Sequence, residues 1–388
     1  MAEVLYFDHA ATAPPAPGVA EAMHEALIGA YGNPSSRHEP GHRAAALIDN
    51  AAEHVAALIG ASAEEIVWTS GATEASNLAL RGVAEFVGET AHIVSVVTEH
   101  PATRDTLSAL ARRGVRVDWL EVDGNGAIDF AMLDRYLAED PDLVSIMQVN
   151  NETGVIHDIP AVAERCAAAG VALHIDASQS LGRLPIDVGH MPVTLMSLSA
   201  HKIGGPIGIG ALYVRRRRPR IGLSAQLLGG GQQRGLRAGT LATHQIAGFG
   251  AAAAAAPSQG LARQSEWAAL RDRLWSIVGE LGGVARNGAV DTIAAPFLSV
   301  SVADVHGGAL LAGLSAGEPA LAVSTGAACS AAKGESSHVI RAMGRAPREA
   351  AATIRFSLGP GIDAKAIDTA GQCFIAEVER LRALAAAV

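Results

Sequence analysis

Lysine is nearly missing from this chain: of its 30 Lys and Arg residues only Lys202, Lys333 and Lys365 are lysines. Aromatic residues make up 4% of the 388 positions, charged residues 18%, and there are three cysteines, Cys166, Cys329 and Cys373. Each shortage excludes something. A formal charge of −9 gives no general affinity for nucleic acid, and direct binding to it is not expected. The basic run Arg215–Arg220 is the local exception, and after a strand it reads as a solvated loop rather than a docking patch. A small odd number of cysteines in a long chain excludes a disulfide scaffold and fits free thiols in a reducing compartment. No run of about 20 apolar residues is free of glycine and charge, and no basic-then-apolar leader opens the chain, so a soluble cytoplasmic protein without membrane contact is expected.

What is present is a large apolar fraction, 49%, in a chain longer than one core usually supports. Single cores stop growing at about 250–300 residues, so a large domain with a smaller companion is the expectation. β-Rich runs alternate with Ala-rich helical runs: residues 65–69, 92–97, 115–120, 143–149, 172–176, 193–198 and 210–214 read as strands. Several lack polar alternation, as strands covered by helices on both faces do, and the pattern predicts a mostly parallel α/β sheet. Ligands then bind at the carboxyl ends of the strands, where the polar clusters fall. A helix through Ala251–Ala256 is read as stopping at Pro257, and residues 257–260 as a junction. Beyond it lie a helix near Trp267–Leu281, a strand at Phe297–Val302 and a closing helix through Phe374–Leu384, a separate α+β piece. The division drawn is residues 16–257 for the large domain, and 1–15 with 258–388 for the small one.

Lys202 stands in Ser199-Ala200-His201-Lys202-Ile203-Gly204-Gly205-Pro206, directly after a strand. Arginine replaces lysine as a surface charge but cannot form a Schiff base, so a lysine retained here points to an aldehyde cofactor, pyridoxal 5′-phosphate (PLP). The same residue also reads as a plain surface charge, and compositional bias toward Arg and Ala would produce the same shortage. Thr69-Ser70-Gly71-Ala72-Thr73-Glu74 closes a strand and opens a helix, which is an anion site or merely a cap. Asp176 and Gln179 follow a buried strand; a carboxylate there could hold a pyridinium proton, or cap a helix. His100 could stack on a ring or shuttle protons, or be structural. Asn33 and Arg355 would each pass as a turn and a strand residue, though an arginine fork is the natural clamp for an amino-acid carboxylate.

In this order the motifs resemble the cysteine desulfurases of the nitrogen-fixation and housekeeping iron–sulfur type, in the PLP-dependent class V aminotransferase-like group. The resemblance runs from Tyr6-Phe7-Asp8-His9-Ala10-Ala11-Thr12 through GNPSS at Gly32, TSGATE at Thr69, EHPA at Glu99, NNETG at Asn150 and HIDASQ at His174. It continues with SAHKIGGP at Ser199, GGGQQRG at Gly229, RAGT at Arg237, STGAACS at Ser324, SHVIRAMG at Ser337 and IRFSLG at Ile354. It implies a fold type I PLP-transferase, with a mostly parallel seven-stranded sheet and a smaller α+β domain. Lys202 would hold PLP, His100 would stack on its ring and relay protons, and Asp176 would pair with the pyridinium nitrogen. Gln179 and Asn151 would bond the ring oxygen, and Ala72, Thr73, Ser199 and His201 the phosphate. Thr240 would reach the phosphate of a neighbouring subunit, which implies a homodimer. Asn33, Asn151 and Arg355 would bind the substrate, with Asn33 and Arg355 on its carboxylate. No metal is implied.

Cys329 would be the nucleophile. It lies among small residues, Gly and Ser with little apolar anchorage, which predicts a mobile polar loop, whereas Cys166 and Cys373 fall on Ala-rich helices and read as inert. The implied reaction converts L-cysteine to L-alanine, leaving sulfur as a persulfide on Cys329. The implied partners are a sulfur acceptor or iron–sulfur scaffold protein, with transient ligation of a cluster by Cys329. Other readings on the same fold are a selenocysteine lyase, a transaminase (which has no use for such a cysteine) and a non-catalytic scaffold. Ala13, Ala327 and Gln233 depart from residues common in the family, namely threonine, serine and glutamate. None removes a named catalytic group.

Overall fold

The computed structural model describes residues 4–218, 220–325 and 336–387; Cys329 lies outside the described residues. The chain opens with a short strand, Val4–Tyr6 (β1), and helices Val19–Gly29 and Glu39–Leu58. Strands and helices then alternate: Ile66–Thr69 (β2), helix Ala72–Val87, His92–Val96 (β3), helix Pro101–Ala111, Arg116–Leu120 (β4) and helix Phe130–Leu137. Leu143–Met147 (β5), helix Ile159–Ala169, Ala172–Asp176 (β6), Leu195–Ser199 (β7) and Gly210–Val214 (β8) complete this part. The seven strands expected from the sequence are these seven, β2 to β8. They form one sheet in the order β2-β8-β7-β6-β5-β3-β4, parallel except for β8, which is antiparallel to both neighbours. Helices cover both faces, so β2, β3, β5 and β7 are buried throughout, which is why their sequences do not alternate.

Helix Thr243–Gln259 packs against Val19–Gly29 and Glu39–Leu58. Its alanines and glycines let backbones approach closely: a Cβ on Gly250 would lie 2.7 Å from Ala51 Cα. The expected stop at Pro257 is corrected, since the helix runs on to Gln259. Proline lacks the N–H that would reach Ala253, but one missing bond in a final turn is tolerated, and Gly260 N closes that turn on Ala256 O at 2.8 Å.

Beyond it come helix Gln264–Val278, Val284–Arg286 (β9), Phe297–Val302 (β10), helix Gly307–Ala316 and Ala320–Ala322 (β11). Short helices His338–Ala342 and Pro347–Ala351, strand Thr353–Ser357 (β12) and helix Ala364–Ala386 finish the described chain. β12, β10 and β9 make an antiparallel sheet, while β1 pairs with β11. Here Phe7, Phe356 and Phe374 stack edge to face at 6.0 and 5.8 Å, in a hydrophobic cluster separate from that of the large sheet. Because Phe7 is bonded to Ala322 and Ser357, the segment Asp8–Thr12 is delivered to the carboxyl end of the large sheet.

The basic run after β8 is not wholly solvated. Arg215 Nη1 donates to the carbonyls of Met191 and Val193 at 3.3 and 3.2 Å, and Arg217 Nη2 to Val188 O at 2.6 Å. These two arginines tie down the turn before β7, although Arg217, like Arg216, Arg218 and Arg220, is exposed.

Candidate active site

A cavity of about 500 Å³ opens where the large sheet's strands end, between them and β12. Lys202 follows β7 in a 3₁₀ turn, His201–Ile203. Its Nζ donates to Ala10 O and, at 3.0 Å, to Ala11 O, so carbonyls rather than a carboxylate receive it. Burial, reinforced by Arg355 and Arg183, lowers the Lys202 pKa to about 7. An amine that is half unprotonated at neutral pH is a nucleophile. Arg183 itself is buried and donates to Lys202 O at 3.0 Å, His9 O at 3.1 Å and Gln179 Oε1 at 2.6 Å. Sequence reasoning passed over it.

Asp176 ends β6. Its Oδ1 accepts from Ser178 N at 2.8 Å and Ser178 Oγ at 2.5 Å, while Oδ2 has no protein partner among the described residues. His100 caps helix Pro101–Ala111, its Nδ1 accepting from Ala102 N at 3.1 Å. Neutral His100 therefore carries its proton on Nε2, and burial lowers its pKa. Gln179 is largely committed to protein, with Nε2 on Ala10 O at 2.8 Å and Oε1 held by Arg183.

At β2 the chain turns into helix Ala72–Val87, whose first amides at Ala72 and Thr73 have no acceptor within the helix. The turn can sit against the sheet because Gly210 has no side chain: a Cβ there would be 2.6 Å from the Gly71 carbonyl carbon. Glu74 closes the turn by accepting from Ser70 N at 2.7 Å and pairing with Arg237 at 2.8 Å. Ser199 is buried at the end of β7, and His201 Nδ1 meets Thr12 Oγ1 at 3.2 Å. Burial, with Lys202 and Arg183 nearby, lowers the His201 pKa to about 4, so it is neutral.

Arg355 on β12 donates from Nη1 to Asn151 O at 2.5 Å and from Nη2 to Asp8 Oδ1 at 2.6 Å, and its buried Nε has no partner among the described residues. Asn150, which sequence reasoning did not single out, builds the turn beneath it: Oδ1 accepts from the amides of Glu152 and Thr153, and Nδ2 donates to Thr98 O. Glu152 and His338 also line the cavity and were likewise missed, although both stand inside quoted motifs. His338 Nε2 donates to Glu99 O at 3.0 Å, and burial lowers its pKa to about 4.

Ten expected site residues thus line one cavity: Ala72, Thr73, His100, Asn151, Asp176, Gln179, Ser199, His201, Lys202 and Arg355. Asn33 and Thr240 do not line it; Asn33 Oδ1 accepts from Ser35 N at 2.9 Å, and Thr240 is exposed. Cys166 is buried, its thiol pushed up to about 12, and Cys373 is half-buried. Among the described residues no metal-holding group of three or more His, Cys, Asp or Glu occurs, and no helix is long and apolar enough to cross a membrane.

The donor set fits PLP. A depressed lysine amine, a carboxylate oxygen without a protein partner and a helix N-terminus with unbonded amides share the cavity. Gln233, a departure from the family pattern, bonds the β2 edge with both ends of its amide: Oε1 accepts from Trp68 N at 2.5 Å, and Nε2 donates to Trp68 O at 2.8 Å. An ionised glutamate could not donate.

The chain is 46% identical over 384 residues to a protein named cysteine desulfurase IscS from Pectobacterium carotovorum subsp. carotovorum (strain PC1), covering 98% of this chain and 94% of that one. A solved structure described as a NifS-like protein superposes with a TM-score of 0.88 at 32% identity, covering 98% of this chain and all of the other. Another, SspA in complex with cysteine, gives a TM-score of 0.81 at 34% identity over 92% of this chain and 99% of its own. The Aminotransferase class-V family model matches residues 5–369, and with the cavity built as described the chain belongs to that family.

Proposed function

We propose that this chain is a PLP-dependent cysteine desulfurase acting on L-cysteine. The carrying observation is that Lys202, Asp176, His100 and Arg355 converge on one cavity in a chain 46% identical to a protein of that name. PLP, when bound, supplies an aldehyde for the substrate amine and an electron sink for the electrons of the Cα–H bond. Lys202 would hold it, with Asp176 Oδ2 on its ring nitrogen and the Ala72–Thr73 amides, Ser199 and His201 on its phosphate. Asn151 and Gln179 would face its ring oxygen. Arg355 keeps N–H groups free beyond Asp8 and Asn151, enough for the substrate carboxylate, which Asn33 would also contact. Lys202, near pKa 7, is basic enough to take the Cα proton, and His100, neutral at rest, would take up a proton before relaying it.

Cys329 then attacks the substrate sulfur. The C–S bond breaks, an S–S bond forms, the carbon takes a proton to become the methyl of L-alanine, and a persulfide remains on Cys329. Exposed Thr240 fits a homodimer in which it reaches the partner's phosphate site. The persulfide passes to a sulfur acceptor or iron–sulfur scaffold protein, in the cytoplasm, with Cys329 transiently ligating a cluster. The two hydrophobic clusters support a large domain of residues 16–257 and a small one of 1–15 with 258–388.

The test is Cys329→Ser. The variant should fold, bind PLP and respond spectrally to L-cysteine, yet release no alanine and carry no persulfide. Mass spectrometry of the cysteine-treated wild type should place the added sulfur on the Cys329 peptide, not on Cys166 or Cys373. Undiminished alanine production by the serine variant would replace this reading with a lyase that releases sulfur directly.

A further inference from the structure

Glu152 is a buried carboxyl group in the wall of the cavity with no part in the chemistry above; it is 3% exposed. It directly follows Asn151, whose carbonyl anchors Arg355, and its Oε2 accepts from Ser337 Oγ at 2.5 Å. The charges around it can be counted. Arg355 on β12 faces it, but Asp8, just after β1, already neutralises that guanidinium at 2.6 Å. Arg104 on helix Pro101–Ala111 is the other cation acting on it. Ser337 and His338 face it from the small domain, and His338 is neutral. Deeper in the cavity Asp176 and the buried Arg183 act in opposite directions on Lys202, and Lys202 and His100 are not firmly cationic at neutral pH.

A substrate carboxylate brought to Arg355 becomes the second anion on one guanidinium. An ionised Glu152 would add a further negative charge beside them, in a space where little water is left to screen it. We infer that Glu152 is a proton-linked specificity residue: an amino-acid carboxylate enters the Arg355 site with Glu152 protonated, so that binding draws a proton from solution. The inference rests on the reading that an amino acid enters this cavity with its carboxylate on Arg355. The free protein is poised for it, since burial, against opposing effects of Ser337 and Arg355, raises the Glu152 pKa to about 7. By reciprocity, what protonation does for binding, binding does for protonation. Above pH 7, affinity should fall by up to about tenfold per pH unit, because the competent protonated fraction falls by that factor.

The experiment uses the PLP-loaded enzyme and L-alanine, which keeps the amino and carboxyl groups but has no thiol to titrate. Binding is followed spectrally from pH 6 to 9, and proton uptake by calorimetry in buffers of differing ionisation heat. At pH 8 the wild type should take up about 0.9 proton more per alanine than Glu152→Gln, as a one-proton group of pKa about 7 requires. The affinity break near pH 7 should be absent from Glu152→Gln. Ser337→Ala, which removes a hydrogen bond favouring the carboxylate, should move the wild-type break to higher pH, and it decides the matter if the glutamine variant does not fold. Equal pH dependence and equal uptake in wild type and Glu152→Gln, or an unmoved break in Ser337→Ala, would overturn the inference alone. No response of the wild type to either alanine or cysteine would overturn the amino-acid reading itself, and this inference with it.

Discussion

At Lys202 two backbone carbonyls occupy the place where a surface lysine would find a carboxylate or water. Carbonyls solvate an ammonium less well than either, and two buried arginines nearby disfavour the cation further, so the amine is released at lower pH. Lys202→Ala should therefore abolish both turnover and the borohydride-reducible attachment of PLP, since among the described residues no other lysine reaches the cavity. A reducible adduct in the purified variant would refute the assignment. Arg355 depends on shape as much as charge, holding Asp8 and Asn151 O with separate nitrogens while its Nε has no partner among the described residues. Arg355→Lys retains the charge but not the fork. Apparent affinity for L-cysteine should drop about ten- to a hundredfold, the equivalent of roughly 1.5–3 kcal/mol for a charge-assisted hydrogen bond. Unchanged affinity in a titration would exclude Arg355 from the carboxylate site.

Elements in this fold are held at set distances by residues whose value lies in being small or in having two-ended side chains. Helix Thr243–Gln259 shows the first kind. Alanine favours helix over glycine by about 1 kcal/mol in isolation. Gly250→Ala should nonetheless destabilise, by about 1–3 kcal/mol, because the new Cβ would lie 2.7 Å from both Cα and Cβ of Ala51 and force helix Glu39–Leu58 outward. A melting temperature equal to or above wild type would show that the pair of helices yields freely. Gln233 and Glu74 show the second kind. Gln233 extends the β2 edge, and Glu74 locks Arg237, so the RAGT segment carrying Thr240 is tied to the same turn that presents Ala72 and Thr73. Neither pairing can be read from spacing, because its members are 165 and 163 residues apart.

Across the whole molecule, burial of ionisable groups sets the pH range of stability. His9, His157, His174, His201 and His338 are each held near pKa 4, chiefly by desolvation. The unfolded chain takes up a proton at each near pH 6.5. As pH falls from 6.5 toward 4 the unfolded state binds more protons than the folded one, and stability falls. Glu152, raised to about 7 by burial, works in the opposite sense over about pH 4.5 to 7, since the folded state keeps a proton that the unfolded chain gives up, and Glu99, also raised by burial, works in that same sense. Five histidines outweigh two acids. The urea midpoint of the holoenzyme should therefore fall between pH 6.5 and 4.5, and a level or rising midpoint would contradict the neutral assignments.

The alternation of apolar runs and helical runs was enough to locate all seven strands of the large sheet, since each strand's character is written in its own five or so residues. The motif residues were likewise placed locally: Lys202 after β7, Asp176 as the last residue of β6 and His100 after β3 stand at strand ends, where a parallel sheet places its ligands. The sequence also proposed Cys329, by the small polar residues around it, and that residue lies outside the described residues. Strand order, and the antiparallel setting of β8 between β2 and β7, came only from the tertiary structure. So did the partners of Arg355, the support that Arg183 gives Lys202, and the exposure of Glu152 to the cavity rather than to solvent. These depend on contacts between residues far apart in the chain, such as Asp8 with Arg355, 347 positions on. A local pattern records what a residue is, whereas its pKa and its partners are set by what folding packs against it.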